Sequence, residues 1–294
     1  MHAHQHDHAA TDEIDWEAMG DHLEREADIQ SPFLTAAVAW LAERLPGARR
    51  VLDVGSGPGV AACEFAGRLP HAEVVAVDGA PGLLARAAAR AEAAGVADRL
   101  HTRHADLSVD LSDGLAGLGP ADLVWAGRFV HHLGDQRAAL AALAAALRPG
   151  GLLALVEGGL PARFLPRDIG LGRPGLLTRL DAVEEERFAQ MREELPGRTE
   201  TVEDWPGMLV SAGLTGALSR TFLVDTPAPL GGAARAHLHG RLVRLLHGCG
   251  DRLDAEDRGA LEVLTDPEAA ESILRRQDAF YLTAVTVHTA QRPL

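Results

Sequence analysis

The chain has 294 residues, 47% of them hydrophobic, which is ample for a core and longer than one minimal domain needs, so one main domain with elaborations is expected. Its formal charge is −14, and its basic residues are arginines scattered along the chain, with no stripe that could follow a phosphate backbone; nucleic acid and anionic membranes are therefore excluded as expected partners. Two distant cysteines, Cys63 and Cys249, exclude a disulfide framework and a structural zinc site, and no apolar run reaches the length of a membrane span, so a cytoplasmic protein is expected.

Residues 1–11 read as a disordered leader. His2, His4, His6 and His8 alternate there and could converge on a transition metal, but holding one would cost the full ordering entropy of the tail, and no metal site is expected. From 12 to 50 the spacing of Trp16, Met19, Leu23, Phe33, Val38 and Leu41 predicts a helical cap, with Ser31-Pro32 opening a fresh helix. Short apolar runs then alternate with helical patterns: strand 51–54, helix 59–68, strand 73–77, helix 81–94, strands 99–104 and 121–126, helix 135–147 and strand 152–157. Such alternation implies a parallel sheet covered on both faces, in a domain running from 51 to 290. The rhythm breaks after Glu157, which places one lid insertion at about 158–197 with a charged helix near 181–194. It returns at Thr201-Val-Glu-Asp204, a capping-box-like start for a helix ending at Gly213, followed by strand 217–224. A second helical insertion, about 231–279, is closed by an alternating strand from Phe280 to Thr289.

The first strand runs into Asp53-Val-Gly55-Ser56-Gly57-Pro-Gly59. Three glycines at alternate positions let backbone approach a ligand closely, next to a helix N-terminus whose amides attract a carboxylate. A dinucleotide site would space its glycines G-x-G-x-x-G around a pyrophosphate, whereas the leading Asp53 would repel one and suits an ammonium group. Asp78 ends the second strand, followed by Gly79, where a carboxylate can accept hydrogen bonds from ribose hydroxyls. Asp106-Leu107 follows the third strand and suits an adenine amino group. The plainer readings are a capped tight turn for Asp53, a strand-end cap for Asp78 and an Asx turn for Asp106.

These three sites, together with the segment from Ala121 through Ala126-Gly127-Arg-Phe129-Val-His131-His132 and the Leu147-Arg-Pro-Gly-Gly151 turn, occur in an order that resembles the class I S-adenosylmethionine-dependent methyltransferases. The resemblance is strong over about 51–157 and weaker over 198–224 and 280–289. It implies a Rossmann-like α/β domain with a seven-stranded, mostly parallel sheet, helices on both faces, and a helical cap built from the N-terminal segment and the insertions. It also implies S-adenosyl-L-methionine as the donor, with S-adenosyl-L-homocysteine as the product. On this resemblance Asp53, Gly55, Ser56, Gly57 and Gly59 hold the methionine moiety, Asp78 and Gly79 the ribose, and Asp106 and Leu107 the adenine. Ala126, Gly127 and Phe129 face the sulfonium.

His131 and His132 are the candidate catalytic residues, His131 first, because a histidine beside the donor can take a proton from an acceptor near neutral pH. Helix capping or packing is the plainer reading for both. Trp16, Phe33, Phe164 and Tyr281 are candidate acceptor contacts, with core packing as the alternative. The arginines of the first insertion, Arg167, Arg173 and Arg179, either hold an acceptor carboxylate or phosphate or form a solvated face. The acceptor is expected to be a small molecule of specialised metabolism, methylated on oxygen in preference to nitrogen or carbon, with a homodimer left open as the assembly. Two other classes stay open: a protein that binds S-adenosylmethionine without transferring methyl, and a nicotinamide-dependent oxidoreductase of the same fold.

Overall fold

Seven strands form one sheet in the order β3-β2-β1-β4-β5-β7-β6. The computed structural model describes residue 16, residues 18–107 and residues 111–294. The leader with His2, His4, His6 and His8 lies outside the described residues.

Helices α1 (Gly20–Ile29) and α2 (Ser31–Arg44) precede the first strand. The alternating core follows as β1 (Arg50–Val54), α3 (Val60–Arg68), β2 (Glu73–Asp78), α4 (Pro81–Ala93), β3 (Leu100–His104), the short α5 (Leu111–Gly114), β4 (Ala121–Gly127), α6 (Gln136–Ala145) and β5 (Leu147–Arg163). Then come α7 (Leu176–Glu194), α8 (Trp205–Ser211), β6 (Thr215–Thr226), α9 (Gly232–Cys249), α10 (Ala255–Thr265) and β7 (Tyr281–Gln291). Strands β1 to β5 pair in parallel, while β7 enters antiparallel between β5 and β6.

The central strands are apolar on both faces because helices cover both. Val51, Trp125 and Ala154 pack with α2 and α3 on one side, and Leu52, Val124 and Leu153 pack with α6 and α8 on the other. Each fully buried leucine contributes about 1.5–3 kcal/mol. Among the described residues no helix is long and apolar enough to cross a membrane.

Several boundaries differ from the sequence reading, among them the start of β5, at Leu147 and not 152; three more have a local physical reason. Strand β5 does not stop at Glu157 but runs on to Arg163, with Gly159, Leu160 and Arg163 in register with β7; Gly158 and Gly159 bend it at positive φ instead of ending it. Helix α7 starts at Leu176, about five residues before the charged stretch that signals it, because Leu176, Leu177 and Leu180 bury its first turn. The third concerns Thr201, which does not cap a helix: α8 is capped by Asp204, whose carboxylate accepts from the Gly207 amide at 3.1 Å. The threonine sits four residues before the first helical turn, beyond reach of its amides. Asp204→Ala should therefore lower stability by about 1 kcal/mol, read as a lower urea midpoint, while Thr201→Val should leave the midpoint in place. Equal effects would reinstate the capping box.

Candidate active site

The chain leaves β1 toward β2 on one side and β4 toward β5 on the other, so a crevice opens above the carboxyl ends of β1 and β4. The glycine turn lines it. Gly55, Gly57 and Gly59 have φ of 70°, 53° and 72°, the left-handed region that favours glycine. A Cβ at Gly55 would lie 2.5 Å from the Phe129 ring, and one at Gly59 would lie 2.5 Å from Ala87 of α4.

The loop's own amides are already used. Gly55 and Ser56 donate to the Val77 carbonyl at 2.9 and 3.0 Å, Gly59 donates to Ser56, and Gly57 donates to Asp78 Oδ2 at 2.8 Å. They hold the turn against β2.

What the loop leaves unmatched is a carboxylate and a hydroxyl. Asp53 is 2% exposed; it accepts from the Ala62 amide at the start of α3, while its Oδ2 and the Ser56 hydroxyl have no hydrogen-bond partner among the described residues. Burial pushes the Asp53 carboxyl up to about 7, the Ala62 amide opposes the rise, and the charge of Asp78 adds to it. A buried acid in this state fits a ligand ammonium, which would supply the counter-charge.

Asp78 fits its plainer reading as a strand-end cap. Its Oδ1 accepts from the Ala80 amide at 2.9 Å and its Oδ2 from Gly57, so it pins the glycine turn to the start of α4. Each oxygen keeps a second lone pair for a ribose hydroxyl. Beside it, His104 Nε2 lies 3.1 Å from the Gly79 carbonyl and joins the ends of β2 and β3. Asp106 is exposed on the same rim. Leu107 and Ala126, at 5% and 0% exposure, turn their side chains into the core. Gly127 lies against the Trp125 indole, whose Nε1 would be 3.0 Å from a Cβ there.

Beyond β4 the chain makes a single 3₁₀ turn, Val130–His132, held from beneath by Glu157 of β5. Glu157 Oε1 accepts from the Val130 amide at 3.0 Å, and Oε2 lies 2.8 Å from His131 Nδ1. A carboxylate cannot donate, so Nδ1 donates, and in the neutral form of the ring the lone pair falls on Nε2. From the opposite side Arg192 of α7 donates to the His131 and Leu133 carbonyls at 2.7 and 2.6 Å. His132 differs: burial, with His131 and Arg192 adding to it, lowers its pKa to about 3. It stays neutral, in edge contact with Trp16 at 4.9 Å between centroids.

Helix α1 lies over the glycine turn. Leu23 is 3.9 Å from where a Gly57 Cβ would stand, and Asp21 and Glu24 pair with Arg86 and Arg90 of α4. Arg128 follows Gly127 with φ 54°, a conformation costly for a side chain, and its guanidinium reaches Glu26 at 2.7 Å and Gln30. Gln30 in turn donates to the Tyr281 hydroxyl at 2.9 Å.

Of the aromatic candidates, the structure brings Trp16 to the histidine turn and Tyr281 to the Arg128 network. Phe33 is turned away, 5.9 Å from Phe222 in the core, and Phe164 is a 2%-exposed core residue beneath the Arg241 guanidinium. Arg173 and Arg179 do not face the crevice. Both pair with the buried Asp257 of α10 and staple the two insertions together. Sequence reasoning missed Glu157, Arg128 and Arg192; an acid ending the apolar run Leu152–Val156 was the one available signal.

A family model described as a methyltransferase domain matches residues 52–153. A trans-aconitate 2-methyltransferase of Methylobacterium nodulans is 31% identical over 249 residues, 80% of this chain and 83% of that protein. A tRNA 5-carboxymethoxyuridine methyltransferase of Escherichia coli is 35% identical over 129 residues, 42% of this chain and 48% of that one. Over this core the chain spans 28% of the length of one relative and 48% of that of the Escherichia coli enzyme. Among solved structures, a candidate methyltransferase of Bacillus halodurans superposes with a TM-score of 0.51 at 19% identity over 88% of this chain and 99% of that one, which shows a shared fold.

Proposed function

The chain belongs to the class I S-adenosylmethionine-dependent methyltransferases, and from that membership we propose that it methylates an oxygen atom of a small-molecule acceptor with His131 as the general base. The nicotinamide-oxidoreductase alternative falls with that membership. The observation that carries the proposal is the 2.8 Å contact between Glu157 and His131 Nδ1 at the end of β4.

When bound, S-adenosylmethionine supplies a methyl group activated on a sulfonium. Asp53 and Ser56 hold the methionine end, the carboxylate with its unmatched oxygen receiving the ammonium. Asp78 holds the ribose and Asp106 marks the adenine rim. Glu157 fixes the imidazole and, as the His131 Nε2 takes the acceptor's hydroxyl proton, balances the positive charge that forms. Helix α1 and Trp16 exclude water from the crevice.

The small-molecule assignment is supported by the −14 charge, by the helices that roof the crevice, and by the contrast in matches. Likeness to the trans-aconitate enzyme extends over four fifths of both chains, and likeness to the tRNA enzyme over the core alone.

The test is binding followed by turnover. S-adenosylhomocysteine should bind by calorimetry, and Asp78→Ala, checked by circular dichroism for folding, should weaken it about tenfold to hundredfold, the equivalent of about 1.5–3 kcal/mol. Unchanged affinity in a folded variant would remove Asp78 from the site. With labelled donor and a panel of hydroxylated metabolites, label should appear as a methyl ether; label on nitrogen or carbon would overturn the oxygen assignment, and a methyl ester, formed on an already ionised carboxylate, would overturn the general-base role of His131.

A further inference from the structure

Resting on the methyltransferase reading, we propose that the acceptor carries a carboxylate, bound between α1 and α9 by Arg244 and His237. The two helices bury a polar cluster where a lid would ordinarily be apolar. His22 and Glu26 lie one turn apart on α1, and His237, Arg241 and Arg244 follow one face of α9 at intervals of four and three. Burying such groups costs free energy unless each finds its partner.

Most of them do. Arg128 pairs with Glu26 at 2.7 Å, and Arg241 pairs with Glu184 of α7 at 2.7 Å. Burial opposes the charge on Glu26, yet Arg128 holds its carboxyl below the usual range. On the outer side of α1, Arg25 pairs with Asp21.

Arg244 is the exception. Among the described residues no carboxylate lies within ion-pair distance of it, and burial lowers its pKa. Its guanidinium instead meets His22, with one nitrogen 2.6 Å from Nδ1 and 2.7 Å from Nε2. A neutral imidazole can accept at only one of those nitrogens, so this contact satisfies little of Arg244. Burial brings both His22 and His237 down to about 4, so neither is charged near neutrality. His237 is stacked on His22 with centroids 5.2 Å apart and planes 5° apart; it is 4% exposed, and its Nδ1 has no partner among the described residues.

Three guanidiniums thus share two carboxylates, one imidazole nitrogen lacks a partner, and the ring between them touches both unmatched groups. One carboxylate supplies what is missing: one unit of negative charge and two oxygens, one for Arg244 and one for an Nδ1–H of His237. A phosphate dianion would overfill the same charge balance. The cluster is continuous with the reaction site, because the Arg128 that holds Glu26 adjoins Gly127 at the end of β4. A carboxylate seated there would orient the rest of the acceptor toward His131.

The experiment uses the full chain saturated with S-adenosylhomocysteine and titrated calorimetrically with benzoate and succinate, with benzamide and succinamide as uncharged partners and with inorganic phosphate. A carboxylate should bind where its amide and phosphate do not. Arg244→Gln should weaken carboxylate binding about tenfold to hundredfold with S-adenosylhomocysteine affinity unchanged. His237→Phe keeps the stack, removes Nδ1, and should weaken carboxylate binding several-fold; it carries the test if Arg244→Gln does not fold. Carboxylates binding no tighter than their amides, carboxylate affinity unchanged from wild type in both variants, or phosphate binding with the same dependence on Arg244 would each overturn the carboxylate subsite. Failure of the wild-type chain to bind S-adenosylhomocysteine would instead sink the methyltransferase reading beneath it.

Discussion

Replacing His131 with alanine should lower single-turnover rates by about 10²- to 10⁴-fold while S-adenosylhomocysteine affinity stays nearly constant. The imidazole is held on three sides. Glu157 binds Nδ1 and the preceding amide, Arg192 anchors the carbonyl, and Phe188 of α7 packs 5.5 Å away between ring centroids. Fixing a base in this way removes the entropy of searching for the proton. Glu157→Gln should produce a smaller loss, because the amide can still accept from Nδ1 but no longer balances the charge that forms on the ring. His132→Ala should cost less again: a histidine held near pKa 3 accepts no proton between pH 6 and 9, so its removal acts through packing against Trp16 alone. Equal and pH-independent rates for the His131 and His132 variants would end the general-base assignment and leave His131 a packing residue.

Asp53→Asn should raise stability and weaken donor binding together, both in a pH-dependent way. In the folded chain Asp53 keeps its proton up to about pH 7, whereas an unfolded aspartate releases it near 3.8. The folded state therefore binds the extra proton between these values, and stability falls as pH rises from about 4 to 7, by on the order of 4 kcal/mol in all. An asparagine escapes that loss, and its carbonyl still accepts from Ala62, although its NH₂ group enters a site with no acceptor. The variant's Tm should thus exceed that of the wild type by several degrees at pH 8 and by little at pH 5.

Binding runs the other way. Pairing with an ammonium requires the ionised acid, so wild-type affinity for S-adenosylhomocysteine should drop by up to about tenfold per pH unit below 7, and the variant should bind weakly with a flat profile. Melting curves and calorimetry at pH 5 to 8 read both effects. A Tm difference that does not grow with pH would show that Asp53 is ionised and paired throughout; unaltered affinity at pH 8 would place the ammonium elsewhere.

Local chemistry made much of the chain legible in one dimension. Apolar runs mark β1, β2 and β4 in the sequence, since strands buried on both faces read as continuous hydrophobic stretches. The Asp53–Gly59 turn and Asp78 are local too, because positive φ and a strand-end acid leave their marks within a few residues. Other features depended on partners far away in the chain. Glu157 becomes a support for His131 only because β5 lies beside β4, a separation of 26 residues, and the same register carries β5 on to Arg163 against β7. That Asp53 keeps an oxygen without a partner, that the glycine-turn amides are spent on Val77 and Asp78, and that Phe33 fills core while Trp16 reaches the site are all outcomes of packing. The Arg244 cluster is the extreme case, joining His22 to a residue 222 positions away. Charge balance there is a sum over α1, α7, α9 and the turn after β4, and a sum over neighbours exists only once tertiary structure has chosen who the neighbours are.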